Sequence, residues 1–108
     1  MQTFPLCQPS LIADGSSKGF SLPNQTSVFI VKKDNLLFAY KNSCPHLGIE
    51  LEWQEDSFLD QEGCLIQCST HGALFLIDTG ECVSGPCLGK VLEAIPHQVI
   101  DDMIYITI

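Results

Sequence analysis

Cys44-Pro45-His46-Leu47-Gly48 and Cys68-Ser69-Thr70-His71-Gly72 each offer one thiolate and one imidazole. Cysteine and histidine stand two positions apart in the first arm and three in the second, and twenty-one residues, 47–67, separate the arms. Four such donors suit two kinds of centre. A sulfide-bridged pair of irons takes thiolates on one iron and imidazoles on the other. A single zinc ion takes all four donors in a tetrahedron. Zinc arms more often pair cysteine with cysteine, which favours the iron centre. The glycine closing each arm, Gly48 and Gly72, suits a backbone that must pass tightly around a bound group.

The elements that must hold these arms read as short strands. Ser27–Val31 and Leu36–Tyr40 flank Lys32-Lys33-Asp34-Asn35, the pattern of a hairpin. Leu65-Ile66-Gln67 enters the second arm and Ala73–Ile77 leaves it, after which Asp78-Thr79-Gly80-Glu81 turns the chain back to Cys82-Val83. Val91–Ala94, His97–Ile100 and Met103–Ile106 complete the set, with Asp101-Asp102 as the last turn. Gly15-Ser16-Ser17-Lys18-Gly19 reads as a loop without the ending of a phosphate cradle. No segment has a sustained helical period, although a brief helical turn is conceivable over 52–58. We therefore expect one all-β domain over 1–108: a small antiparallel sandwich or barrel from residues 1–40 and 87–108, with a smaller inserted lobe over 41–86 that carries both arms.

The ordered set of arms, glycines, Phe75, the Thr79-Gly80-Glu81 turn and Ser84-Gly85-Pro86 resembles the Rieske [2Fe–2S] proteins. The specific motifs cover about residues 40–90, and Ser84-Gly85-Pro86 resembles the family's proline loop over the cluster. The resemblance implies one [2Fe–2S] cluster per chain, with Cys44 and Cys68 on one iron and His46 and His71 on the other. It implies one-electron cycling, and oxidation should lower the histidine pKa values. The membrane-anchored respiratory branch carries an additional disulfide; the matching positions here are Ile49 and Thr70, so that bridge cannot form. The same branch places a serine and a tyrosine where this chain has Ala73 and Phe75, neither of which donates a side-chain hydrogen bond to sulfur. Phe75 and Leu47 would shield the cluster or simply pack. Together these departures resemble a soluble, low-potential Rieske ferredoxin.

Composition narrows the partners. Thirteen acidic residues face five lysines and no arginine, for a formal net charge of −8. Nucleic-acid binding needs a basic footprint, and anionic membrane surfaces also select cations, so neither is expected. Six acids, Glu50, Glu52, Glu55, Asp56, Asp60 and Glu62, lie between the arms. They form either a solvated loop or a docking face for a basic partner. No apolar stretch approaches the length of a membrane span. Met1-Gln2-Thr3-Phe4-Pro5 has no basic residue before an apolar segment, so we expect a cytoplasmic protein without a secretory signal. Cys7, Cys64, Cys82 and Cys87 fall outside the arm spacing and read as small buried thiols, with Cys87 in the proline loop.

A separate catalytic iron would need two histidines and a carboxylate, but His97 is the one histidine outside the arms, and no nucleophile triad or dinucleotide fingerprint occurs. We expect an electron carrier rather than an enzyme, passing electrons from a flavin reductase to an oxygenase or reductase. A Rieske-like small subunit of a nitrite-reductase-type complex and a zinc-bound interaction module are the alternatives. Trp53 has no assigned part beyond packing the segment between the arms.

Overall fold

Every large residue of Val28-Phe29-Ile30-Val31 is fully buried in the computed structural model, which describes residues 2–23, 25–43, 45, 51, 56–60, 62–68 and 72–108. Successive side chains of a strand point to opposite faces, so a strand with no exposed side chain must have protein on both. The described residues form nine strands: β1 (Thr3–Pro5), β2 (Ser16–Ser21), β3 (Ser27–Lys33), β4 (Leu36–Lys41), β5 (Leu65–Gln67), β6 (Leu74–Leu76), β7 (Cys82–Ser84), β8 (His97–Ile100) and β9 (Met103–Thr107). They make three antiparallel sheets of order β1-β9-β8, β2-β3-β4 and β5-β6-β7. One 3-10 turn, Pro9–Leu11, joins β1 to β2. Among the described residues no helix is long and apolar enough to cross a membrane.

The sheet containing β3 is the middle layer. Val28, Ile30 and Ala39 pack with Ile104 and Ile106 of β9, together with Ile12, Leu22 and Ile95. The opposite face, Phe29, Val31 and Tyr40, packs with Ile66, Phe75 and Cys82 of the third sheet. Phe29 stacks on Phe58, with ring centroids 4.3 Å apart and planes 7° from parallel. Burying side chains of this size contributes about 1.5–3 kcal/mol each, and a stacked pair adds about 0.5–1.5 kcal/mol. The third sheet, inserted between β4 and β8, is thereby fastened to the middle one.

Turn chemistry fixes both tight hairpins. Asp34 and Asn35, at φ +52° and +65°, join Lys33 to its partner Leu36; Asp101 and Asp102, at +50° and +62°, join Ile100 to Met103. Two-residue hairpins with both residues left-handed match the strand twist, and Asn and Asp enter that region most readily.

Three expectations need correction. Residues 16–19 are part of strand β2 rather than a loop, because pairing with β3 outweighs their weak propensity. The outer edge of β2 is closed by Asp56: Oδ1 accepts the Gly19 N–H at 2.7 Å, and the Asp56 carbonyl accepts the Ser17 hydroxyl at 2.8 Å. Val91–Ala94 is no strand; its residues bond alternately to different sheets, Leu92 N–H to Gly80 O and Lys41 N–H to Glu93 O. Cys64 is exposed, since it occupies the surface turn before β5. The helical turn conceived over 52–58 falls largely outside the described residues, and 56–58 are not helical.

Tyr40 ties the two layers together by donating its buried hydroxyl to the Ile77 carbonyl at 2.6 Å. Burial, then the nearby Asp78 charge, push its pKa from 10 up to about 12. The folded state therefore holds this proton more tightly than the unfolded chain, a stabilisation complete below pH 10 and lost as pH rises through 12. Tyr40→Phe should cost about 1–2 kcal/mol at neutral pH by orphaning the carbonyl. It should also remove an alkaline loss on the order of 2–3 kcal/mol that the parent shows between pH 10 and 12. Urea unfolding of both proteins across that range checks this; parallel pH profiles would contradict it.

Candidate metal centre

The first arm grows from the end of β4. Beyond Lys41 the chain turns, with Ser43 N–H on Lys41 O at 2.9 Å, and reaches Pro45. Asn42 is the buried polar residue here, 5% exposed. Its backbone N–H bonds Ser27 O at 2.8 Å, its Nδ2 bonds Ser27 Oγ at 3.2 Å, and its Oδ1 accepts the Leu51 N–H at 2.8 Å. One side chain thus closes the span from 42 to 51 that contains the first Cys-His pair. Sequence reasoning missed Asn42. Its position directly after a strand and before Cys44 is the signal that was there to find, because Asn side chains favour local backbone bonds at turns.

The second arm is the tip of the β5–β6 hairpin. Cys68 N–H bonds Ala73 O and Gly72 N–H bonds Cys68 O, both at 2.9 Å, so the loop from 68 to 73 is closed at its base. Gly72 takes a φ of +67°, a conformation that costs most other residues about 1–2 kcal/mol. Cys68, Ala73 and Phe75 are fully buried and belong to one core with Cys87. The segment after β7 packs closely on Ala73, at the base of this arm. Gly85 has a φ of +97°, and a Cβ there would lie 2.8 Å from the Ala73 Cα.

Of the four expected ligands, the structure describes Cys68. Cys44, His46 and His71 lie outside the described residues, as do Leu47, Gly48, Ile49, Glu50, Glu52, Trp53, Glu55 and Thr70. Among the described residues no three His, Cys, Asp or Glu side chains gather as a metal site. The surroundings nevertheless fit an iron–sulfur group. Two loops are pinned at their bases, the Cys68 thiol is withdrawn from water, and Gly85 lets the backbone after β7 approach Ala73.

Two of the acids between the arms, Asp56 and Asp60, have structural duties. Asp56 closes the edge of β2 and pairs with Lys18 at 3.6 Å. Asp60 Oδ1 accepts the N–H groups of Cys64 and Leu65 at 2.9 and 3.2 Å, fixing the turn that leads into β5. His97 is exposed, with Nδ1 3.3 Å from the Ile95 carbonyl. Burial raises the Cys7 thiol pKa, which keeps that thiol protonated within the other core.

A sequence model of the Rieske [2Fe–2S] domain matches residues 2–97, and the chain belongs to that family. The cofactor the family defines is one [2Fe–2S] cluster per chain. Among solved structures, the ferredoxin of carbazole 1,9a-dioxygenase from Nocardioides aromaticivorans IC177 shares the fold with a TM-score of 0.78 at 20% identity, over 99% of this chain and 98% of that one. Sphingomonas yanoikuyae B1 ferredoxin gives a TM-score of 0.78 at 24% identity, over 99% of both chains. The terminal oxygenase of carbazole 1,9a-dioxygenase from N. aromaticivorans IC177 matches 99% of this chain with 30% of its own, at a TM-score of 0.80 and 18% identity. No curated protein gives a significant sequence match. At these identities the structural likeness establishes the fold.

Removing the Asn42 pin is the direct test of the loop's construction. Asn42→Ala should leave the Leu51 N–H without its acceptor and cost about 1–3 kcal/mol in urea unfolding. The variant should also release iron faster to a chelator than the parent. Unchanged stability and release would mean that the first arm is held by something else.

Proposed function

We propose that this protein is a Rieske-type ferredoxin, a one-electron carrier that is not itself an enzyme. Cys44 and Cys68 would hold one iron, and His46 and His71 the other. The observation that carries the reading is the family match over residues 2–97 together with a fold that spans whole ferredoxins from end to end. A bound [2Fe–2S] cluster with two neutral imidazole ligands supplies reversible one-electron chemistry at a higher potential than an all-thiolate one.

The chain's own residues tune that chemistry. Ala73 and Phe75 are fully buried beside Cys68 and have no side-chain donor for sulfur. Hydrogen bonds to sulfur favour the reduced, more negative state, so the lack of hydroxyl donors at positions 73 and 75 lowers the potential. The buried Phe75 shares a core with Cys68, which is withdrawn from water.

An oxygenase is the acceptor we favour, and a flavin reductase the donor. Solved relatives include a complex of reduced oxygenase and oxidised ferredoxin in carbazole 1,9a-dioxygenase, whose ferredoxin-like match covers 97% of this chain and 92% of that one. A cytoplasmic location agrees with both partners. Of the three acids with described positions, Asp56 and Asp60 are committed to the fold, and Glu62 has no carboxylate bond among the described residues. A docking role for the acidic segment therefore rests mainly on Glu50, Glu52, Glu55 and Glu62.

Redox titration of the purified protein tests the reading. It should give a one-electron midpoint near the low end of the Rieske range of roughly −150 to +300 mV. His46→Cys or His71→Cys should lower it further wherever the cluster survives, because a thiolate adds negative charge. A midpoint above roughly +150 mV, high in that same range, would contradict the account of Ala73 and Phe75. A cluster retained at unchanged potential in either histidine variant would contradict the ligand assignment.

A further inference from the structure

The loop after β7 touches both arms, and a charged side chain makes one of the two contacts. Residues 84–90 fold into a compact turn, with Leu88 N–H on Gly85 O at 3.3 Å and Lys90 N–H on Cys87 O at 2.8 Å. Lys90 O accepts the Cys82 N–H at 2.9 Å, which anchors the far end of the turn to β7. Gly85 lies against Ala73, the residue that closes the second arm. At the other end, Lys90 Nζ reaches the carbonyl of Pro45 at 3.4 Å, between the two expected ligands of the first arm.

Three of the chain's other four lysines are used elsewhere. Lys18 pairs with Asp56, while Lys32 and Lys33 donate to the carbonyls of Pro9 and Gly63. Lys41 ends β4, and the sequence contains no arginine. Among the described residues Lys90 is the cation hydrogen-bonded to an arm. In a chain of net charge −8 its place bears on any centre that must accept an electron. A positive charge held nearby favours the added negative charge, and the effect weakens as salt screens it.

We infer that Lys90 is a positioning residue of the metal centre: it straps the covering loop to the first arm and sets a positive charge beside the site. The strap rests on geometry alone, whereas its effect on potential rests on the carrier reading above. An exposed contact of this kind adds little to global stability. Lys90 therefore acts on local closure and on redox poise, and its variants should fold.

Lys90→Met removes the charge and the donor at similar length; Lys90→Arg keeps both. The two variants and the parent are compared, as purified, by redox titration at low and high salt and by amide hydrogen exchange of peptides covering 42–51 and 84–90. Lys90→Met should lower the midpoint at low salt, less so at high salt, and should speed exchange in both segments about two- to fivefold. Lys90→Arg should return both readings to the parent's. Parent-like potential and exchange in Lys90→Met would overturn the proposal, as would a Lys90→Arg protein indistinguishable from Lys90→Met. A parent protein that binds no iron would overturn the carrier reading instead, and the exchange comparison alone would then decide the strap.

Discussion

Burial of β3 on both faces is the constraint on which the rest of this structure depends. One face of Val28–Val31 is the floor of a core closed by β9, and the other is the floor of a core closed by the third sheet. The arms spring from opposite sides of the second core: the first continues β4 of the middle sheet, and the second is the tip of the β5–β6 hairpin. Ligands on separate loops can share one cluster only if the sheets carrying them keep a fixed separation. The Phe29–Phe58 stack and the Tyr40–Ile77 hydrogen bond hold that separation. A close-packed core resists displacement, so the geometry of the arms is inherited from the core rather than from the loops themselves.

On that frame, small polar devices close each loop. Asn42 bridges the first arm's ends, paired backbone bonds close the second, and Gly85 lets the covering loop approach Ala73. Asp56 and Asp60 use their carboxylates on backbone N–H groups along the connection between the arms. Those two carboxylates therefore serve the fold before they serve any partner. On the proposed ligand assignment, two neutral imidazoles and the nearby Lys90 would favour uptake of an electron within a strongly acidic chain.

The chemistry was legible in the sequence because it depends on residue type and spacing over a few positions. Cys44, His46, Cys68 and His71, the glycine after each arm and Ser84-Gly85-Pro86 suffice to name the family. The hairpins of β3–β4 and β8–β9 were equally legible, since apolar runs flank Asp-Asn and Asp-Asp turns. What was hidden depends on partners distant in sequence. β2 is a polar Ser-Ser-Lys-Gly run whose strand character comes from β3 and from Asp56, nearly forty residues away. Val91–Ala94 has strand-like residues, yet its bonds are divided between two sheets, which no local pattern encodes. Cys64 resembles the buried thiols by type, but the turn that exposes it is set by Asp60. Asn42 acquires its role from Leu51 and from Ser27, fifteen residues earlier.

Electron paramagnetic resonance of anaerobically purified, dithionite-reduced protein, with iron and zinc quantified on the same sample, tests the central claim most directly. The account predicts two irons per chain and the rhombic signal of a two-iron cluster with mixed cysteine and histidine ligation. A silent spectrum with about one zinc per chain would contradict it and make the four ligands a structural zinc site.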